Sequence, residues 1–129
     1  MDLSYRTAQL YAEAIIFNRV TITATLKKLG DLDAKKIQVV TWTGQALPVV
    51  FPQKWLATID NALTIYRQEY GDSQYLTIYH RYAKKYNVTQ ITAYEGISKR
   101  LYQNRRVEFL SILVSLAVQN GLIKIKPGL

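Results

Sequence analysis

Apolar side chains return to one helical face over residues 3–29. This pattern predicts a long amphipathic N-terminal helix, with Asp2 or Ser4 as its N-cap and Gly30 just beyond its last turn. The β-branched run at 20–23 opposes this interpretation, because such side chains lose rotamer freedom in a helix. The rest of the segment outweighs that run, and we expect a single helix.

The pattern changes after this first helix. Asp31 and Asp33 are suited to cap a short helix that ends at Lys36, and we interpret them as a solvated turn rather than a carboxylate pair. Apolar stretches within residues 37–50 then look extended. This connector is predicted to form either a small hairpin of short strands or an ordered link, and no motif in it carries chemistry.

A further helical pattern begins at Pro52, which suits the first position of a helix because its missing N–H would have no partner there. That helix is predicted to end at Gly71, and Asp72 or Ser73 to cap the next one. The following helix carries tyrosines at spacings of four, three and four residues: Tyr75, Tyr79, Tyr82, Tyr86. We interpret this stripe as half-buried packing rather than as a platform for stacking bases.

Two helical segments close to each other follow at 92–120. Thr92 and Glu95 have the spacing of a capping box, which predicts that a helix begins at Ala93 and continues through Leu101. The period then breaks at 102–103, and Asn104 is a strong N-cap for a second helix that ends near Asn120. We therefore predict a helix-turn-helix over about 92–120.

A second register is also compatible with this segment. In it the turn lies at 96–97 and Ser98 caps the second helix. We favour the first register because the capping box supplies a start for a helix that would otherwise almost have ended at Gly96. The glycine argues the other way, since inside a helix it costs about 1 kcal/mol relative to alanine.

The second of these helices is apolar around most of its circumference. Its polar positions form one narrow stripe: Asn104, Glu108, Ser111, Ser115, Gln119. Such a helix is buried by neighbours on several sides. It is either the central element of the domain or also a surface for a homodimer. The alternating segment 122–126 is expected to add a short strand.

The charge of the chain sharpens this picture. The 129 residues carry a formal net charge of +8, with 17 basic and 9 acidic side chains. Residues 1–78 contribute 8 basic and 7 acidic groups, whereas residues 79–129 contribute 9 and 2. A positive field concentrated in one half favours an anionic partner such as nucleic acid. The absence of cysteine favours an intracellular protein without disulfides.

The predicted turn places a basic and polar cluster on one surface. Its members are Lys99, Arg100, Gln103, Asn104, Arg105 and Arg106. In a helix-turn-helix the second helix enters the major groove, where arginine reaches guanine edges and helix-end amides meet phosphates. We predict that Arg105, Arg106 and Glu108 lie nearest the bases. The phosphate contacts are assigned to Lys84, Lys85, Lys99 and Arg100.

An enzyme is not expected. His80 is the single histidine and lies beside Arg81 with no carboxylate at helical spacing. The chain has no nucleophile elbow, no phosphate-binding glycine loop and no metal-ligand set, so we predict no catalytic residue, metal or cofactor. The longest nearly apolar run, 109–118, is about half the length of a membrane-spanning helix, and the N-terminus lacks a secretory signal pattern. No membrane association is expected.

The order of these motifs resembles a known family. It runs from the aromatic helix around Tyr82 through 92–97, 101–102 and 104–106 to the end of the long apolar helix at 120–123. This order is similar to that of phage-encoded transcriptional regulators of the ArpU and RinA type, whose C-terminal helix-turn-helix is similar to region four of bacterial sigma factors. The resemblance implies a prophage regulator of late genes that acts on double-stranded DNA in the bacterial cytoplasm, beside RNA polymerase.

These observations predict a mainly α protein. Residues 1–50 form a long N-terminal helix and a connector, and residues 51–129 form a helical domain with the helix-turn-helix. The predicted function is a phage DNA-binding transcriptional regulator. The alternative is a non-enzymatic adaptor, either one that docks on polymerase or a phage assembly factor, which would use the apolar C-terminal helix.

Overall fold

The structure is a computed structural model that describes residues 2–30, 34–41 and 43–127. Over these residues the chain has six helices and two small two-stranded sheets, which confirms the prediction of a mainly helical protein. Asp31 and Asp33, the predicted caps of a short helix, lie outside the described residues. Lys36, its predicted last residue, belongs to a strand.

The predicted N-terminal helix is two helices, α1 (Tyr5–Phe17) and α2 (Arg19–Leu29). They are separated at Asn18, where φ is −105° and ψ is 21°. The Asn18 side-chain amide donates to the Ala14 carbonyl at 2.7 Å, so it competes with the backbone for a helical acceptor. The prediction of a single helix was therefore wrong at this residue.

Both outer ends of this helical pair lie where the sequence predicts them. The Ser4 hydroxyl accepts a hydrogen bond from the Thr7 N–H at 3.1 Å and caps α1. Gly30 ends α2 in the left-handed conformation. Asp2, the other candidate cap, lies in strand β1 (Asp2–Leu3).

The connector is a β-hairpin. Strand β2 (Lys36–Val40) pairs antiparallel with β3 (Ala46–Val50), and inward and outward side chains alternate along both strands. Of the two forms predicted for this connector, the structure shows the hairpin. The predicted C-terminal strand is confirmed as β4 (Lys124–Ile125), which pairs in parallel with β1.

Four further helices complete the chain. They are α3 (Pro52–Tyr70), α4 (Asp72–Tyr82), α5 (Val88–Glu95) and α6 (Lys99–Gln119). As predicted, α3 begins at Pro52 and ends before Gly71. In the tyrosine stripe Tyr82 is buried and Tyr79 is partly exposed, in agreement with a packing role.

Helix α6 is the centre of the core. It packs against α1, α3, α4 and α5 and buries five apolar side chains in its C-terminal half: Phe109, Leu110, Leu113, Val114, Ala117. The rings of Tyr66 and Tyr82 contact Phe109 from two other helices, with centroids 5.6 and 6.1 Å away. Along the polar stripe of α6, Asn104, Ser115 and Gln119 are exposed, and Glu108 and Ser111 are half-buried.

Within the described part of the chain, no helix combines the length and apolar character needed to cross a membrane.

Candidate nucleic-acid interface

Helices α5 and α6 are joined by the three-residue turn 96–98. Gly96 takes the left-handed conformation (φ 66°) that ends α5, and a side chain would be strained there. The Ser98 hydroxyl then accepts a hydrogen bond from the Leu101 N–H at 3.0 Å and caps α6. This is the second of the two registers, and the favoured one, with its turn at 102–103, is wrong.

The capping box that starts α5 lies five residues before the predicted one at Thr92 and Glu95. Asn87 and Gln90 form it: the Gln90 N–H donates to the Asn87 side chain at 2.8 Å, and the Asn87 N–H donates to the Gln90 side chain at 2.9 Å. Thr92 and Glu95 lie inside α5 instead. Asn104 likewise lies within α6, in its second turn, and is not a cap.

Glu95, the last residue of α5, points into the protein. Its Oε1 accepts a hydrogen bond from the Thr77 hydroxyl and lies 3.5 Å from Nη1 of Arg105. Its Oε2 lies 2.9 Å from Nδ1 of His80. Arg105 also donates to Thr77 at 2.9 Å, and the side chains of Glu95 and Arg105 are only 8% and 12% exposed. This buried polar cluster joins α4, α5 and α6.

A second cluster joins α6 to α1 and α4. Arg106 donates from Nε and Nη2 to the two carboxylate oxygens of Glu13, both at 2.6 Å, in the bidentate geometry that strengthens such pairs. The Tyr82 hydroxyl donates to the same carboxylate at 2.6 Å. The Glu13 and Arg106 side chains are 19% and 24% exposed. Glu13 therefore holds three elements together.

These contacts change the predicted site. Arg105 and Arg106 were expected to lie nearest the bases, but both guanidinium groups are directed into the protein and paired with carboxylates. Neither projects from α6 toward a ligand. The reason is that the register moves both arginines from the first turn of the helix into its second, where the flanks of α6 face α1 and α4.

Other predicted residues lie on the surface. Lys99 and Arg100 occupy the first turn of α6 and are exposed, and that turn contains no acidic residue. Asn104 is exposed one turn further along, whereas Gln103 and Glu108 are half-buried. The exposed part of the predicted cluster is thus the N-terminal turn of α6 and the face that continues from it.

Lys84 and Lys85 lie in the loop 83–87 between α4 and α5. Both are exposed, but each is also in contact with an aromatic ring: Lys84 Nζ is 5.9 Å from the centre of Tyr79, and Lys85 Nζ is 4.0 Å from that of Phe17. Lys85 also donates to the Phe17 carbonyl. Partial burial, with the charge of Arg81, lowers the pKa of Lys85. The ammonium group of Lys84 is therefore less constrained by contacts than that of Lys85.

The Glu13 carboxyl group predicts a pH dependence of stability. Burial by itself would raise the pKa of Glu13, but the hydrogen bonds from Arg106 and Tyr82 and the charge of Arg106 lower it below its ordinary value of 4.5. A depressed folded-state pKa stabilises the protein above the unfolded-state value, and the stabilisation is lost as pH falls through the folded-state value.

We therefore expect the stability difference between wild type and Glu13→Gln to shrink as the solution is acidified. Urea unfolding of both proteins between about pH 7 and about pH 3 measures this. Asp60→Asn, which removes an exposed partner of Arg19, is the control. Its stability difference from wild type should change less with pH. A constant difference for Glu13→Gln across this range would contradict the expectation.

Sequence reasoning missed Glu13, Thr77 and Glu95 as partners of the arginines. Glu13 and Arg106 are 93 residues apart, and no spacing rule connects them. The sequence contains one signal for Glu95, which directly precedes Gly96. A helix that ends at Gly96 places its last side chain, Glu95, beside the next helix. His80 has a carboxylate partner after all, from another helix rather than its own.

The described residues contain no group of three or more side chains with the composition of a metal site. No protein-family model matches the chain, and no curated protein or solved structure matches it.

Proposed function

We propose that this chain binds double-stranded DNA through the N-terminal turn of α6, presented by the turn 96–98. The observation that carries the proposal is the exposure of Lys99 and Arg100 at a helix N-terminus that has no acidic neighbour in its first turn. Helix-end N–H groups and basic side chains both attract phosphate oxygens, and a helix is the element that fits the major groove.

The face of α6 that follows this turn supports sequence-specific contact. Arg100, Asn104 and Val107 are exposed and stand at i, i+4 and i+7, so they share one side of the helix. Arginine pairs with guanine, asparagine with adenine, and an apolar side chain contacts the thymine methyl group. We assign base contacts to these three residues in place of Arg105, Arg106 and Glu108, and phosphate contacts to Lys99 and Lys84.

The charge balance of the surface supports the same assignment. Residues 79–129 contain only two carboxylates, Glu95 and Glu108. Glu95 is buried in the cluster with Arg105, and it neutralises a cation that is itself buried. Arg106 is likewise neutralised by Glu13. The exposed cations of α6 and of the loop 83–87 therefore keep a positive field, which promotes association with DNA.

Replacing both Lys99 and Arg100 with alanine is expected to weaken binding to a labelled random duplex by roughly tenfold or more at low salt, and to lower the slope of log K against log salt by about 1 for each lost phosphate contact. Fluorescence anisotropy over a salt series measures both quantities. Because both side chains are exposed, the unfolding midpoint should stay unchanged.

The matched control is Lys27→Ala with Lys28→Ala. It removes the same charge from exposed positions in the last turn of α2 and should retain most of the affinity. An equal loss of affinity for DNA in the two double variants would mean that only the net charge matters, and it would contradict the assignment of binding to α6. Failure of the wild type to bind duplex at low salt would reject DNA binding altogether and favour the adaptor function.

The order of the motifs over residues 82–123 resembles that of the ArpU and RinA type. On this basis the proposal extends to the regulation of transcription in a phage or prophage. RNA polymerase is then the expected protein partner. Selection of duplexes from a random pool by the purified protein, followed by sequencing, tests this extension. A defined operator motif is the expected result, and an unselected pool would limit the protein to nonspecific binding.

A further inference from the structure

A cavity of about 440 Å³ lies between the N-terminal segment, the hairpin and the segment after α6. Its volume is within the range of about 300–1,000 Å³ that is typical of sites for small molecules. The lining is mostly apolar and includes Tyr11, Val50, Phe51, Leu122 and Ile123. The cavity is on a different part of the molecule from the predicted DNA-binding residues, none of which lines it.

Two features of the wall are preorganised. The Tyr11 hydroxyl donates to the Pro48 carbonyl at 2.8 Å, and the Tyr11 ring meets the buried Trp55 ring edge-on at 5.9 Å. Phe51 takes the left-handed conformation (φ 53°), which a bulky residue adopts only when its surroundings hold it there. The residue is nevertheless 45% exposed and lines the cavity, so its ring is accessible to a bound molecule.

The charged residues of the lining are both positive. Among the described residues of the wall, Lys36 and Lys124 carry a charge and none is acidic. Neither lysine forms an ion pair with another described residue. Asp2 stands opposite Lys124 in the strand register, but it lies outside the lining. The cavity thus combines an apolar body with a positive edge.

We infer that this cavity binds a small amphipathic anion, an apolar chain or ring that carries one carboxylate. The apolar part would pack against Tyr11, Val50 and Leu122, where its transfer from water is favourable. The carboxylate would pair with Lys36 or Lys124. This inference stands apart from DNA binding, since it uses other residues and another surface.

Isothermal titration of the full chain with octanoate tests the inference, with 1-octanol as the uncharged comparison. Octanoate is expected to bind more tightly than 1-octanol. Val50→Trp should abolish octanoate binding because the larger side chain occupies the cavity. Val40→Trp is the matched control: it lies on the same outward face of the hairpin but does not line the cavity, and it should bind octanoate like the wild type.

The charge requirement is tested by Lys36→Ala with Lys124→Ala. This double variant should lose about tenfold in affinity for octanoate and none for 1-octanol. Lys27→Ala with Lys28→Ala has the same net charge and should keep the wild-type affinity. The inference is overturned by octanoate binding that survives Val50→Trp, by equal affinities for octanoate and octanol, or by no octanoate binding to the wild type.

Discussion

Arg106→Met is expected to lower the free energy of unfolding by about 3 kcal/mol, the lower end of the range for breaking a buried ion pair. The variant leaves the Glu13 carboxylate mostly buried, with the Tyr82 hydroxyl as its only remaining donor from these contacts. A stranded charge costs more than the pair contributes, because its desolvation is no longer offset. Urea unfolding monitored by tryptophan fluorescence measures the change.

A second substitution separates the stranded charge from the lost contact. Glu13→Gln in the Arg106→Met background removes the charge and keeps an acceptor for Tyr82, so it should restore at least half of the lost stability. Arg19→Met is the matched control, since its partner Asp60 is 61% exposed, and it should lower stability by less than about 1 kcal/mol.

The same variant also decides between the two roles considered for Arg106. If Arg106→Met kept the wild-type stability and lost affinity for DNA, the arginine would act as the direct base contact that the sequence predicts. We expect the opposite pattern. The stability of the variant should fall. Under conditions in which the variant is fully folded, it should retain its affinity for DNA, because Arg106 does not project from α6.

Glu95→Ala is expected to destabilise the protein by about 3 kcal/mol, again because a buried cation loses its counter-charge. Arg105 would keep only the Thr77 hydroxyl, and its Nε already lacks a partner among the described residues. Thr77 and His80 would each lose a contact with the carboxylate. Urea unfolding measures the effect, and Glu69→Ala, at an exposed position in α3, is the control with the same loss of charge.

The position of Glu95 adds a local expectation to the global one. Because the residue is the last of α5, its loss should increase amide exchange in the turn 96–98 more than in the centre of α6. Hydrogen exchange at Ile97 and Leu113 compares the two places. Uniformly faster exchange would mean that Glu95 stabilises the core as a whole and has no special role in holding the turn.

Local chemistry explains which boundaries the sequence predicts well. Ser4, Gly30, Pro52 and Gly71 act on the backbone within one turn of themselves, and each lies at the end where it was expected. The apolar surface of α6 likewise indicates burial without any knowledge of its neighbours. Asn18 shows the limit, because its amide competes with the backbone inside a segment whose periodicity is otherwise continuous.

The prediction of where α5 begins was wrong for a related reason. Two capping boxes fit the sequence, one at Asn87 and Gln90 and one at Thr92 and Glu95, and local rules do not rank them. Burial ranks them: Glu95 gains more from Thr77, His80 and Arg105 than from a backbone N–H, and α5 starts where Asn87 is free to cap. Gly96 then ends the helix in the conformation that suits glycine.

The sequence by itself determined the helical class, the helix ends at Ser4, Gly30, Pro52 and Gly71, and the concentration of positive charge in the C-terminal half, because each depends on periodicity, capping or composition. It limited residues 37–50 to a hairpin or an ordered link without deciding between them. The tertiary structure decided which cations are exposed. Arg105 and Arg106 have the same chemistry as Arg100, but they face Glu95 and Glu13 of other helices. Two charged residues that are far apart in the chain produce no periodic pattern in the sequence, and only folding brings them within contact distance.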